Sequence, residues 1–578
     1  MTETTPSSNS PFIVGVSGHR DLDDSDLPRL RAAVGAFFHA LRAELPDTEL
    51  RLLTGVAEGA DLLVAETARS LGVRVEAVLP MPLARYAADF DGDSIARLRA
   101  LLNHVDVDCI ELVDPAEPEA GYGNLMHALL RRSSLLLALW DGESSLLPVG
   151  TADTVLRYLD VRSGGPVEDL PLAFIDAEDA PEAPDRLVYW IPTPRRGAPL
   201  ADQSLLPCYL SGVGDHTLER RAAMPAGFRA RLHELNAYNL EHETLRDLGQ
   251  LGVHDSLLTS LPGDIELRGR SRLEHIDQQY AKADALAVYF QRRSDRLFVL
   301  FGVMTLAMGL AYLIYEKLTE SRLMLFAYLA VLLASLGLYY VLEGRRWFAK
   351  HLAYRALAET MRAKFYLRLA GADHRVDARE ILALSGTDRF HGFGWLGFVL
   401  NGVERVGVRA QPSYDPASLQ SRCVEDAWIE SQHGYFTRKV ARLEASTGRT
   451  KILRNVLFIV IIGAILTLFV FGEALLHIDA GWGIPAKNIV TFMMGFFAVL
   501  LGAWELHQNK MATRELLWQY RNQLTHFTRA RNHLARIADA ERRSEILGEL
   551  GKDSMMESYL WTIHRYHREH EPPSTGGG

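Results

Sequence analysis

Four short stretches near the start of the chain combine residue types that bind a phosphorylated or ribosyl ligand. They are Gly15-Val16-Ser17-Gly18-His19-Arg20, Thr54-Gly55-Val56-Ala57-Glu58-Gly59-Ala60-Asp61, Trp140-Asp141-Gly142 and Gly150-Thr151-Ala152-Asp153. Glycine lets the backbone approach a ligand closely, and the free N–H groups at a helix start suit phosphate. His19 and Arg20 supply donors or positive charge, while Glu58, Asp61, Asp141 and Asp153 accept from ribose hydroxyls or a base. None of the stretches is a GxGxxG or a GxxxxGK[ST] loop. One such glycine alone is the mark of a turn, and four such loops on one sheet edge are the mark of a site. The expected binding residues are therefore Gly18, His19, Arg20, Thr54, Gly55, Glu58, Gly59, Asp61, Asp141, Gly150, Thr151 and Asp153. No catalytic residue and no metal site stand out, and a nucleotide-derived ligand is the only small molecule the pattern calls for.

The elements that must position these residues follow from periodicity. Phe12 to Ser17, Leu50 to Thr54, Val73 to Leu79, Leu135 to Trp140 and Leu187 to Ile191 are short apolar runs. Between them, Asp26 to Leu45, Glu58 to Leu71, Asn124 to Arg132 and Thr151 to Arg162 have helical spacing. Apolar strands alternating with helices make an α/β, Rossmann-like, doubly wound parallel sheet over 12–194. In such sheets the ligand lies beyond the carboxyl ends of the strands, where the four stretches fall.

Taken in order, GVSGHR, LLTGVAEGAD, a strand ending Leu79-Pro80, ALWDG and GTADTV resemble the SLOG domain, the SMF/DprA and LOG group. The resemblance spans residues 12–194. It implies a Rossmann-like domain that binds or processes nucleotides and nucleotide-derived ligands. It also implies binding roles for Gly18, His19, Arg20, Thr54, Gly55, Gly59, Asp61, Gly150, Thr151 and Asp153. Hydrolytic LOG members carry PGGxGTxxE, whose glutamate serves catalysis. The aligned run here is Pro148-Val149-Gly150-Thr151-Ala152-Asp153-Thr154, with Thr154 at the glutamate position. Asp153 comes one residue early, which turns it about 100 degrees around a helix. This departure favours binding over hydrolysis.

Composition sets the wider frame. At 578 residues the chain has room for several domains, and its apolar fraction of 48% is that of ordinary globular sequence. A net charge of −10 argues against a general nucleic-acid surface. Cys109, Cys208 and Cys423 are far apart and form no CxxC pattern, as expected of buried or incidental thiols in a reducing compartment. Residues 1–11 are polar, without the apolar core of a cleavable signal, and are expected to be disordered.

The apolar residues concentrate in two pairs of runs. The first pair is 297–315 and 323–342, with a hinge at Glu316 to Ser321. The second is 452–472 and 488–504. Each run is near the roughly 20 residues needed to cross about 30 Å of hydrocarbon. Arg292, Arg293 and Arg296 precede the first pair, and Arg345, Arg346 and Lys350 follow it. Arg449, Lys451 and Arg454 precede the second, and Lys510 and Arg514 follow it. Basic outer flanks place the N-terminus, the middle and the C-terminus in the cytoplasm of a multi-pass inner-membrane protein. The runs hold no ionisable residue at mid-depth, unlike ion-coupled transporters. Thr305, Ser335, Thr467 and Thr491 read as helix-packing groups, and Ala330 and Ala334 have the spacing of a close helix contact.

Both pairs lie between long cytoplasmic helices, with Tyr354-Arg355 leaving the first and Tyr520-Arg521 leaving the second. Each copy resembles the SLATT domain, the two-helix membrane effector found with SLOG domains and nucleotide-second-messenger synthases. The expected domains are a SLOG-like unit over 12–194, a helical connector over 195–285 and a first SLATT-like unit over 286–380. A linker over 381–417, a second SLATT-like unit over 418–570 and a flexible tail over 571–578 complete the chain. His564, His567 and His570 share a helical stripe, but the arginines around them favour a solvated helix end.

The SLOG–SLATT pairing implies a bacterial antiphage or conflict-defence effector. Its SLOG domain would bind a nucleotide second messenger or an NAD-derived ligand. Its four spans, in a homo-oligomer within the lipid bilayer, would permeabilise the membrane or conduct through it. The alternatives are a membrane-tethered nucleotide or nucleoside-monophosphate hydrolase, using Asp153 or Glu58, and a non-conducting membrane scaffold.

Overall fold

The computed structural model describes residues 9–145, 148–161, 172–176, 184–200, 202, 204–214, 217–252, 256–262, 270–404, 419–481, 483–511 and 513–566. The chain opens with β1 (Phe12–Gly18), α1 (Leu27–Glu44), β2 (Leu50–Thr54), α2 (Ala60–Ser70) and β3 (Arg74–Leu79). There follow α3 (Leu83–Tyr86), α4 (Gly92–Leu102), β4 (Val107–Glu111), α5 (Pro118–Arg132), β5 (Leu135–Trp140) and α6 (Thr151–Tyr158). Next come β6 (Ala173–Asp176), β7 (Val188–Pro192), β8 (Cys208–Gly214), β9 (Thr217–Arg221) and α7 (Ala226–Asp247). The remainder is helical: α8 (Arg270–Ile314), α9 (Arg322–Glu343), α10 (Trp347–Leu369), α11 (Ala378–Ser385) and α12 (Leu396–Val403). After these stand α13 (Leu419–Val424), α14 (Ser431–Leu476), α15 (Ala486–Met511), α16 (Thr513–Leu534) and α17 (Ala540–Tyr566). The chain folds as two compact units. One comprises residues 1–250, 269–279 and 373–413, and the other comprises 251–268, 280–372 and 414–578.

The first unit is built on a nine-stranded sheet of order β4-β3-β2-β1-β5-β7-β8-β9-β6. From β4 to β7 every pairing is parallel. The central strands β1 and β5 are apolar along their length because helices cover both faces, and all six residues of β5 are buried. The strands expected from periodicity are β1, β2, β3, β5 and β7. The structure adds β4, β6 and a β8–β9 hairpin that pairs antiparallel onto β7. The hairpin lies inside the stretch expected to be a helical connector. In β9, Thr217-Leu218-Glu219-Arg220-Arg221, the charges mask a strand in which Leu218 is fully buried. Likewise α12 falls in the expected linker over 381–417, and Phe398 packs edge-on against Phe12 of β1 at 5.2 Å. A buried carboxylate sits within the parallel part of the sheet. Glu76 on β3 is buried and paired with Arg132, and more distantly with Arg51 at 3.4 Å. Burial opposes its ionisation, yet the two guanidinium groups draw its pKa down to about 2.

The second unit is helical. Helix α10 packs on α17, α14 on α15 and α16, and α16 on α17. Tyr366 stacks on Trp428 at 5.6 Å, and the Thr360 hydroxyl donates to Tyr559 at 2.8 Å. Among the described residues four helices are long and apolar enough to cross a membrane: those containing α8, α9, α14 and α15. Their most apolar windows are almost wholly exposed, 0% to 6% buried, as lipid-facing helices require. The first turn is tighter than the expected hinge at Glu316 to Ser321. A π-helical turn, Tyr315–Thr319, extends α8, Glu320 takes a left-handed conformation, and Ser321 caps α9. Thr305, Thr467 and Thr491 donate to carbonyls four residues back on their own helices, which satisfies each hydroxyl within its span. Ala330 and Ala334 are exposed. The close helix contact is made instead by glycines: a Cβ on Gly309 would lie 2.5 Å from Val499, and one on Gly495 would lie 2.6 Å from Leu313. These residues cross α8 against α15, so a helix from each hairpin packs against the other. His564 is exposed in the last turn of α17; His567, His570, residues 1–8 and the tail over 571–578 lie outside the described residues.

Candidate functional site

The carboxyl edge of β1, β2 and β5 carries most of the expected residues. At the end of β1, the His19 amide donates to Leu139 O at 3.1 Å, which keeps the backbone against β5. Gly18 is required there, because a Cβ would lie 2.4 Å from Ala60 and 3.0 Å from Leu139 O. The turn into α2 crosses the same spot. Gly59 has φ +86°, and a Cβ on it would lie 2.3 Å from Arg20 O. The Ala60 amide donates to His19 O at 3.0 Å. The glycines of the first two stretches thus let two loops touch through their backbones.

Asp61 is held under this crossing at 7% exposure. It accepts from the Thr54 hydroxyl and from the amides of Gly55 and Ala57. Burial lifts its pKa to about 7, against the pull of nearby Arg20 and these donors. Arg20 is exposed, and its guanidinium lies 5.2 Å from the centre of the Tyr122 ring. The Tyr122 hydroxyl donates to Asp89. Beside it, the Tyr86 hydroxyl donates to Gly55 O at 3.0 Å, and its ring meets Phe90 edge-on at 5.0 Å. The result is a cation and a carboxyl group beside an aromatic surface, a combination that suits a base and a phosphate or ribose.

His19 connects this group to β5. It is 5% exposed, and its Nε2 lies 3.0 Å from the Asp141 amide nitrogen and 3.2 Å from Oδ1. When neutral the ring accepts from the amide; when protonated it pairs with the carboxylate. Arg195 Nε donates to Asp141 Oδ2 at 2.8 Å. Although partial burial opposes it, His19, the Glu143 amide and Arg195 hold the Asp141 pKa below the usual range.

The fourth stretch opens α6, with Gly150 as its N-cap. Asp153 is 1% exposed and turned into its own helix, where it accepts from the Val149 amide at 3.2 Å and from Arg157 Nε at 2.9 Å. Thr154 is also buried, and its hydroxyl donates to Gly150 O at 3.0 Å. Glu58 accepts from the Ser94 hydroxyl at 2.8 Å, on the side of α4. Two β-branched residues in these loops, Val56 and Val149, have φ of +47° and +65°. Such a conformation costs about 1–3 kcal/mol each and persists where a surrounding arrangement enforces it.

Gly18, His19, Arg20, Thr54, Gly55, Gly59 and Asp61 therefore form one contiguous group, extended through His19 to Asp141. Gly150, Thr151 and Asp153 form a second group at the head of α6. Sequence reasoning missed Tyr86, Asp89, Tyr122 and Arg195. Tyr86 had a readable signal, an aromatic residue in the short segment that follows β3 at the same edge, which folds as α3. Tyr122 lies at the start of α5, where it is indistinguishable from any helical tyrosine until the fold brings it to Arg20. No protein-family model and no curated protein matches the chain.

Proposed function

We propose that the chain is a membrane effector gated by a nucleotide-derived ligand. The sheet edge around Arg20 and Asp61 takes the ligand, and the four apolar helices respond by opening a path through the membrane in an oligomer. The observation that carries this reading is one chain with both a compact cation–carboxyl–aromatic group at a parallel sheet's carboxyl edge and four membrane-length helices. The SLOG and SLATT resemblances support the same division of labour and suggest a defence role. The basic flanks of both hairpins support cytoplasmic placement of both chain ends. The ligand shifts the membrane region only insofar as it binds one conformation better than another.

The test is calorimetric titration of the full chain in nanodiscs with cyclic nucleotides, NAD and ADP-ribose. One of these binds the wild-type chain, and Arg20→Ala weakens it about tenfold or more, as expected for loss of a charge-assisted contact. Equal affinity in Arg20→Ala, or no binding by the wild type, contradicts the reading.

A specific observation also favours a second reading, the membrane-tethered hydrolase. A carboxyl group with a pKa near 7 suits general acid–base catalysis at neutral pH. On that reading Asp61, rather than Asp153 or Glu58, moves the proton. Nucleotide turnover that follows Asp61 ionisation and is lost in Asp61→Asn would favour the hydrolase.

A further inference from the structure

The helical unit contains a cavity of about 80 Å³ among α10, α14, α16 and α17. That exceeds the roughly 10–15 Å³ that one water requires and falls short of the roughly 300 Å³ of a cofactor pocket. Its walls are aromatic. Trp428 meets Phe527 edge-on at 6.0 Å, while Phe436 lies 5.8 Å from both Tyr520 and Phe527. Trp428 belongs to a π-helical turn, Glu425–Glu430, the kind of local irregularity that often marks functional positions in helices.

The polar groups narrow the choice of occupant. Arg355 pairs with Asp284 at 2.9 Å and with Glu359, and Arg362 pairs with Glu359 and donates to Tyr280 at 2.8 Å. Two cations against two carboxylates leave no surplus charge to attract an anion. Gln523 is 5% exposed, and its Nε2 donates weakly to Ser554 O at 3.4 Å. Among the described residues its buried Oε1 has no partner, and neither does the buried Nε1 of Trp561. Both residues line the cavity. An acceptor and a donor left unmatched inside an aromatic enclosure carry a desolvation cost that a complementary occupant removes.

We propose that this cavity binds a small, neutral, planar nitrogen heterocycle of free-nucleobase size, held by stacking on the aromatic walls. Its N–H donates to Gln523 Oε1, and its ring nitrogen or carbonyl accepts from Trp561 Nε1. Trp428 lies one helical turn ahead of Gln432, Tyr435 and Phe436, which line the same cavity on α14, the helix that continues into the third span. An occupant therefore bears on a helix that enters the membrane. This site is separate from the sheet-edge group, and the proposal stands or falls independently of that reading.

The test titrates full-length protein in nanodiscs with adenine, hypoxanthine, cytosine and nicotinamide, with inorganic phosphate as the anion control. At least one heterocycle binds, and phosphate does not compete with it. Gln523→Leu, which keeps the volume and removes the unmatched oxygen, weakens that binding about tenfold without lowering the melting temperature. Trp561→Phe weakens it similarly. Absence of binding by all four heterocycles, displacement by phosphate, or undiminished binding in Gln523→Leu overturns the proposal.

Discussion

At the scale of single residues, Asp61 is the group whose environment departs most tellingly from what stability alone would select. Its folded pKa of about 7 lies above the ordinary value of 3.8. The folded state therefore holds the proton more tightly, so this contribution is fully present below pH 3.8 and is lost as pH rises towards 7. Asp61→Asn removes that dependence, so its stability relative to the wild type should improve from pH 5 to pH 8 by on the order of 2–3 kcal/mol. Denaturant unfolding of both forms at pH 5 and pH 8 checks this, and equal gains at the two pH values would contradict it. Buried His351 behaves with the opposite chemistry. Burial lowers its pKa to about 3, even though its Nδ1 donates to Ala287 O at 3.1 Å. A neutral buried imidazole stabilises the fold above pH 6.5 and loses that contribution as pH falls towards 3. Acidification to pH 5 should therefore cost about 2 kcal/mol. His351→Gln should flatten the stability profile between pH 7 and pH 5, measured by thermal melts; an unchanged slope would refute the assignment. Residue types told which groups could bind a ligand, but not which would be used up internally. Asp153 illustrates the difference. Its position at the head of α6 was legible, while its burial against Arg157 depends on packing that spacing does not encode.

At the scale of elements, hydrophobic pattern resolved what it controls most strongly. β1, β2, β3, β5 and β7 are apolar because they are covered on both faces, and the four spans are apolar because lipid surrounds them. β4 and β9 escaped because their alternation is interrupted by charges such as Asp108, Glu219 and Arg220, and β8 because Ser211, Gly212 and Gly214 break its apolar pattern. The helix crossing in the membrane region escaped for another reason. Gly309 and Gly495 are four residues before Leu313 and Val499 respectively, but nothing in either run says which helix each glycine meets. Gly495→Leu would place a large side chain where Leu313 already sits 2.6 Å from a Cβ, forcing α8 and α15 apart. The expected outcome is a lower melting temperature of the chain in nanodiscs with unchanged ligand affinity at the sheet edge. A variant that melts like the wild type would show that this crossing does not hold the hairpins together.

At the scale of the whole molecule, the two hairpins repeat one plan: a long helix into the membrane, a short turn, a second apolar helix and a helix leading away. The chain crosses from one compact unit to the other within α8, whose residues 270–279 belong to the first unit and 280–314 to the second. No ionisable side chain lies at mid-depth in the apolar runs, which argues against a charged relay inside one copy. The most direct measurement is release of an entrapped dye from liposomes carrying the full-length protein, with each candidate nucleotide added in turn. The account predicts release with one nucleotide, abolished by Arg20→Ala and undiminished when the dye-loaded vesicles carry conservative Arg20→Lys at saturating ligand. Intact vesicles with every nucleotide, while that nucleotide is consumed in the same tubes, would contradict the gated effector and favour the tethered hydrolase.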